Sequence, residues 1–199
     1  MPAGLTPRLP KDFSDYDLDS RGGLLVVVAG LPGSGKSTLA DGLGRSLGIP
    51  VFAIDWILGA LTPFGGRHFD DLRGVGAEQL TTLALRQMSL GQSVILDTPA
   101  EDATSRERWR SLATRAGARF AVIDCVCSDP ALHRDRLENR ERGIPGWHSR
   151  GDWANVQQRL RKYPAWPEDV LRLDAVRPPE ENLRTALDYL SAGRSSVSP

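Results

Sequence analysis

The sequence predicts an α/β domain, a parallel sheet with helices packed on both of its faces. Three observations carry that prediction. Five apolar runs of strand length recur along the chain, at Leu24–Ala29, Val51–Ile54, Val94–Leu96, Phe120–Cys127 and Val170–Leu173. Stretches with helical periodicity separate them, which is the pattern of strand-helix-strand units. The first run, Leu-Leu-Val-Val-Val-Ala, is continuously apolar rather than alternating, as in a strand buried on both faces.

Each element follows from local signals. Residues 1–22 carry Pro2, Pro7 and Pro10 with no clear periodicity, and read as an irregular, loosely packed lead-in. After the first strand, a helix begins near Ser37 with Leu39, Leu43 and Leu47 on one stripe; Gly48 and Pro50 stop it. A second helix is expected from about Ala77 to Leu90, with Leu80, Leu83, Ala84 and Met88 inward and Gly91 beyond. The third helix opens with a capping box, Thr104 and Glu107, and carries Trp109, Leu112, Ala113 and Ala116 before Gly117. Asp129-Pro130 starts a fourth, strongly charged helix expected to reach Gly143. A fifth spans Trp153–Arg161 behind Asp152, and a last one spans Pro178–Tyr189 with Leu183, Ala186, Leu187 and Leu190 buried. The domain is thus placed at 23–193, with 194–199 as a tail.

Composition narrows the function. The 199 residues are 40% hydrophobic and 25% charged, enough apolar material for a core, with a formal net charge of zero. A chain that holds nucleic acid through its phosphates usually shows a basic excess, so nucleic acid is a disfavoured partner. No run is long and apolar enough to cross a bilayer and no basic-then-apolar leader opens the chain, so a cytoplasmic protein is expected. The two cysteines, Cys125 and Cys127, lie two apart in an apolar run and read as buried core thiols. Lysine is scarce: Lys11, Lys36 and Lys162 are the whole complement.

One of those lysines sits in the most informative segment. Gly30-Leu31-Pro32-Gly33-Ser34-Gly35-Lys36-Ser37, followed by Thr38, matches the phosphate-binding pattern G-x-x-x-x-G-K-[ST], and it lies between a buried strand and an amphipathic helix as that pattern requires. Gly30, Gly33 and Gly35 let backbone amides wrap a polyphosphate, with Ser34 and Thr38 in the same loop. Lys36 should reach the β- and γ-phosphates of ATP, and the Ser37 hydroxyl should ligate magnesium. The N-K-x-D tetrapeptide of guanine-reading GTPases is missing, and a motor ATPase would need a longer chain with further motifs. What remains is a compact kinase.

The phosphate loop, Asp55 after the second strand, Val94–Asp97, the arginine-rich Arg134–Arg142 segment and the final Leu171-Arg172-Leu173-Asp174 together resemble the small P-loop kinases grouped as zeta-toxin-like or AAA_33 ATPases. Chloramphenicol phosphotransferase, gluconate and shikimate kinases and polynucleotide kinase domains belong to this circle. The resemblance spans roughly residues 24–190 and implies a five-stranded sheet in the order 2-3-1-4-5 with a mobile lid, about 129–152. It also implies a phosphoryl acceptor bearing a hydroxyl: a metabolite, sugar, nucleoside or antibiotic.

The resemblance gives further residues roles to test. Asp55 would be the general base facing the acceptor hydroxyl; its alternative is a helix cap at Trp56. Asp97, closing an apolar strand, would manage magnesium with Ser37, in preference to Asp124, which reads as mid-strand; the alternative for Asp97 is a purely structural turn role. Arg136 and Arg140, four apart and on one face with His133, would clamp the transferred phosphoryl group, or else pair with Glu138 and Glu141 on a solvated helix. Arg177 with Pro178 would frame the adenine. Thr98-Pro99 and the segment Phe64, Gly65, Gly66, Arg67, His68 and Phe69 could line the acceptor pocket. Trp147, His148 and Trp153 belong either to its rim or to core packing. Two rival functions stand beside the small-molecule kinase: a 5′-end polynucleotide kinase, and a nucleotide-gated binding module with no acceptor chemistry.

Overall fold

A computed structural model describes residues 13, 18, 22–61, 69–141, 143–146, 151–166 and 170–192. Five strands, β1 (Leu24–Ala29), β2 (Val51–Ala53), β3 (Val94–Asp97), β4 (Arg119–Val126) and β5 (Leu171–Asp174), form one parallel sheet in the order β2-β3-β1-β4-β5. The expected fold class and strand order are therefore observed. Seven helices are described: α1 (Lys36–Leu47), α2 (Ile54–Leu61), α3 (Phe69–Ser89), α4 (Ala103–Arg115), α5 (Pro130–Glu138), α6 (Trp153–Lys162) and α7 (Pro179–Ala192).

Side-chain alternation along the central strand divides the core. Leu25, Val27 and Ala29 face one layer with Leu58 of α2, Leu80, Ala84 and Met88 of α3, and Trp109 and Leu112 of α4. Val26 and Val28 face the other, with Leu39 and Leu43 of α1 and Ala186 and Leu190 of α7. A third, smaller cluster, Leu31, Leu137 and Val156 with Trp153, ties α5 and α6 to the loop that follows β1. Burial of this kind is the main favourable term in folding, at about 25 cal/mol per Å² of apolar surface.

Several boundaries differ from the expected ones, each for a physical reason. Ile54 opens α2 directly after β2, so Asp55 lies in the first turn of a helix that periodicity alone did not reveal. Helix α3 begins at Phe69 rather than near Ala77, running through Gly74 and Gly76. Glycine lowers helix propensity, which hides the start, but a Cβ on Gly76 would stand 3.1 Å from Ile54 and Leu58. The small residue lets α2 and α3 approach closely. Leu83 is exposed at 37%, and Leu85 takes its place in the core. Helix α4 is capped not by Thr104 but by Asp102, whose carboxylate accepts from the Thr104 and Ser105 amides at 3.1 and 2.8 Å. Helix α5 stops at Glu138 with Asn139 in the cap position, its backbone N–H donating to the Asp135 carbonyl at 3.0 Å and its side-chain amide to Asp135 Oδ1 at 2.7 Å.

Two further corrections concern packing. Cys125 is buried, but Cys127 lies beyond the end of β4 and is only partly buried, so it is not a core thiol. In the leading segment Phe13 and Leu18 are 0% and 4% exposed and join the larger core layer, which a loosely packed lead-in would not do.

Candidate active site

The carboxyl edge of the three neighbouring strands β2, β3 and β1 gathers the predicted residues. Register places Asp97 beside Val28 of β1 and beside Ala53 of β2. The phosphate loop therefore leaves β1 next to Asp97, and Asp55 follows two residues after Ala53. Ligands bind at this edge of open α/β sheets because loops and helix N-termini converge there.

The loop has the shape its glycines allow. Gly30, Gly33 and Gly35 have φ of +139°, +89° and +80°, conformations that side chains rarely adopt. At Gly33 an added Cβ would also stand 2.8 Å from the His133 ring. Lys36 opens α1 and is 3% exposed, with Nζ 3.9 Å from Asp97 Oδ1. Ser34 Oγ is buried with no hydrogen-bond partner among the described residues. A buried ammonium, an orphaned buried hydroxyl and a glycine cradle at a helix N-terminus fit a nucleotide polyphosphate. For magnesium, Ser37 and Asp97 line the same cavity and offer hard oxygen donors, two of the six such an ion takes, with the rest left to phosphates and water.

That cavity, about 570 Å³, is lined by Gly33 to Thr38, Asp55, Asp97, Arg136, Arg140 and Arg177 among others. The structure thus brings most predicted site residues to one chamber; of the loop, Gly30 stands behind its wall, where a Cβ would meet the Cys125 carbonyl and the Ser34 side chain. Arg136 and Arg140 do not share one helical face as expected, since α5 ends before Arg140. Both nonetheless reach the same cavity, Arg136 while donating to the Ala175 carbonyl at 2.8 Å. Cys125 also contributes to this wall. Burial first, then the Asp97 carboxylate, push its thiol far above the ordinary range, so it stands there as a neutral group.

A second cavity, about 680 Å³, adjoins the first and is bounded by α2, the turn after β3, α4 and α6. Asp55 and Arg140 line both chambers. Thr98 and Pro99 line the second as expected, joined by Leu58, Trp109, Val156 and a bidentate ion pair between Arg159 and Glu101, at 2.7 and 2.6 Å. Ala100 in the same wall has φ +51°, a conformation uncommon for a residue with a Cβ. Its carbonyl is held by Arg106 Nε at 2.6 Å. Local backbone strain of this kind clusters at ligand sites.

Other expectations resolve differently. Asp124 is buried mid-strand and accepts from Arg172 Nε at 3.2 Å, away from both cavities. Trp153 packs edge-on against His133 with ring centroids 5.2 Å apart, so it belongs to core packing. Phe64 to His68, Trp147 and His148 lie outside the described residues, as does the Phe69 side chain. Glu101 and Arg159 were not anticipated: they are 58 residues apart, and no local pattern announces such a pair.

A family model described as an AAA domain, AAA_33, matches residues 25–164, well over half of the chain. The chain belongs to the AAA_33 family. A curated relative, the UPF0200 protein of Hyperthermus butylicus, is 30% identical over 151 residues, covering 68% of this chain and 73% of the relative. Among solved structures, a sugar kinase from Janibacter superposes with a TM-score of 0.60 at 19% identity, over 89% of this chain and 99% of that one. The APS kinase of Mycobacterium tuberculosis, in complex with AMPPNP and APS, gives 0.58 at 23% identity over 86% and 98%. This AAA_33 member therefore has a kinase-like P-loop fold. No described helix is long and apolar enough to cross a membrane.

Proposed function

We propose that this chain is an ATP- and magnesium-dependent kinase that phosphorylates a hydroxyl of a small organic acceptor seated in the second cavity. The observation that carries the reading is the shared wall: one carboxylate, Asp55, and one guanidinium, Arg140, line both the phosphate-loop chamber and its neighbour. A phosphoryl transferase needs that arrangement, because the group moved must pass between two bound molecules with a base and a cation at the boundary. The fold likeness to a sugar kinase and to an APS kinase supports it.

ATP would supply the phosphoryl group, and magnesium would neutralise its charge. The chain's residues do the rest. Loop amides and Lys36 hold the polyphosphate, with Asp97 setting the lysine's position. Ser37 and Asp97 are the oxygen donors for the metal. Asp55 accepts the acceptor's proton as its oxygen bonds to phosphorus and the bond to the departing ADP breaks. Arg136 and Arg140 counter negative charge on the transferred group. Arg177, which also lines the first cavity, would frame the adenine. At about 680 Å³, the second cavity is of the size that holds organic ligands.

Magnesium-dependent ADP release, measured against sugars, nucleosides, antibiotics and oligonucleotides with ATP or GTP, tests the reading. One acceptor class should accelerate release, and chelation of the metal should abolish it. Tight nucleotide binding with no acceptor stimulating release from any class would leave a binding module instead.

A further inference from the structure

Helix α5 meets the middle of the phosphate loop through a buried imidazole. His133 is 2% exposed, and its Nε2 lies 2.8 Å from the Pro32 carbonyl in the middle of the loop. A carbonyl only accepts, so Nε2 carries the proton and donates. The same ring presses on the next residue: a Cβ at Gly33 would stand 2.8 Å from its Cδ2. From behind, Trp153 of α6 holds the ring edge-on, and Leu31, Leu137 and Val156 close the packing around that contact. One turn further along α5, Arg136 lines the nucleotide cavity and donates to Ala175, a residue whose methyl lies 3.5 Å from where a Gly35 Cβ would sit. Helix α5 thus contacts the loop directly through His133 at Pro32-Gly33, and through Arg136 it holds Ala175, the neighbour of Gly35.

We propose that His133 is a positioning residue for nucleotide binding: its Nε2–H fixes the Pro32 peptide, and with it the direction of the amides that follow, while placing Arg136 over the same polyphosphate. The role rests on the reading of the first cavity as a nucleotide site. The loop has glycines at Gly30, Gly33 and Gly35, with φ of +139°, +89° and +80°, and so has little stiffness of its own. A donor anchored in a packed helix supplies it before any ligand arrives, which lowers the ordering cost of binding.

Calorimetry of MgADP and of magnesium with a non-hydrolysable ATP analogue tests this on the whole chain. His133→Leu should weaken both by about tenfold, the size of one lost neutral hydrogen bond. His133→Gln, whose amide can still donate to Pro32, should recover most of that loss. A purely structural role would lower Tm in both variants without this split in affinity. Nitrogen-15 spectra of the wild-type imidazole supply a check that needs no variant: the ring should be the Nε2–H tautomer with a slowly exchanging proton. Wild-type affinity in folded His133→Leu, a Gln variant as weak as the Leu one, or an unprotonated Nε2 would each overturn the role. Failure of the wild type to bind either nucleotide would sink the nucleotide reading and this role with it.

Discussion

Asp55 follows a three-residue strand and lies in the first turn of α2, where the two cavities meet. The helix-start position expected of this residue is observed, and the same residue lines both cavities, where the proposed base would have to stand. Asp55→Asn keeps the shape and removes the proton acceptor. Turnover should fall by about 10² to 10⁴ while MgATP affinity stays within about twofold, as single-turnover assays and calorimetry can show. The phosphate loop was legible because eight contiguous residues carry its pattern, whereas Asp55 was singled out only through the family resemblance, by its place after the second strand. The Glu101–Arg159 pair was not, since only the folded chain brings α6 against the turn after β3.

At the scale of elements, the ends of helices were harder to read than their existence. Asp102, Thr104 and Ser105 are all good cap residues within four positions, and only the geometry selects Asp102. Burial acts to raise the Asp102 pKa, but hydrogen bonds from Ser105 and Thr104 outweigh it and hold the carboxyl below its ordinary value. A depressed folded value means a stabilising contribution present above the unfolded pKa and lost as pH falls through the folded one. Asp102→Ala should therefore cost about 1 kcal/mol at neutral pH, and the gap to wild type should close in strong acid, as denaturant titrations at the two conditions would show. Helix α5 was overrun in the sequence for a related reason. Asn139, Arg140 and Glu141 beyond Glu138 include no Gly or Pro, and the cap falls on Asn139, a position that periodicity does not encode.

For the molecule as a whole, the sheet order was accessible only through family resemblance, because strand spacing fixes alternation with helices but not which strands become neighbours. What holds the second cavity's far wall is equally non-local. Arg106 of α4 donates to the carbonyls of Ala100, Pro164 and Ala165 and lies 3.5 Å from the Trp166 ring centroid, fastening the segment after α6 to the body of the domain. Arg106→Ala leaves those carbonyls without their charged donor and should cost about 2–4 kcal/mol, with faster hydrogen exchange across 163–166 than across β1. The partition between the chambers has a thermodynamic corollary. On the proposed function, whatever enters one side would pull on a carboxylate and a guanidinium that also line the other. Linkage then demands reciprocity: the factor by which nucleotide alters an acceptor's Kd must equal the factor by which that acceptor alters the nucleotide's, and two paired titrations would reveal it.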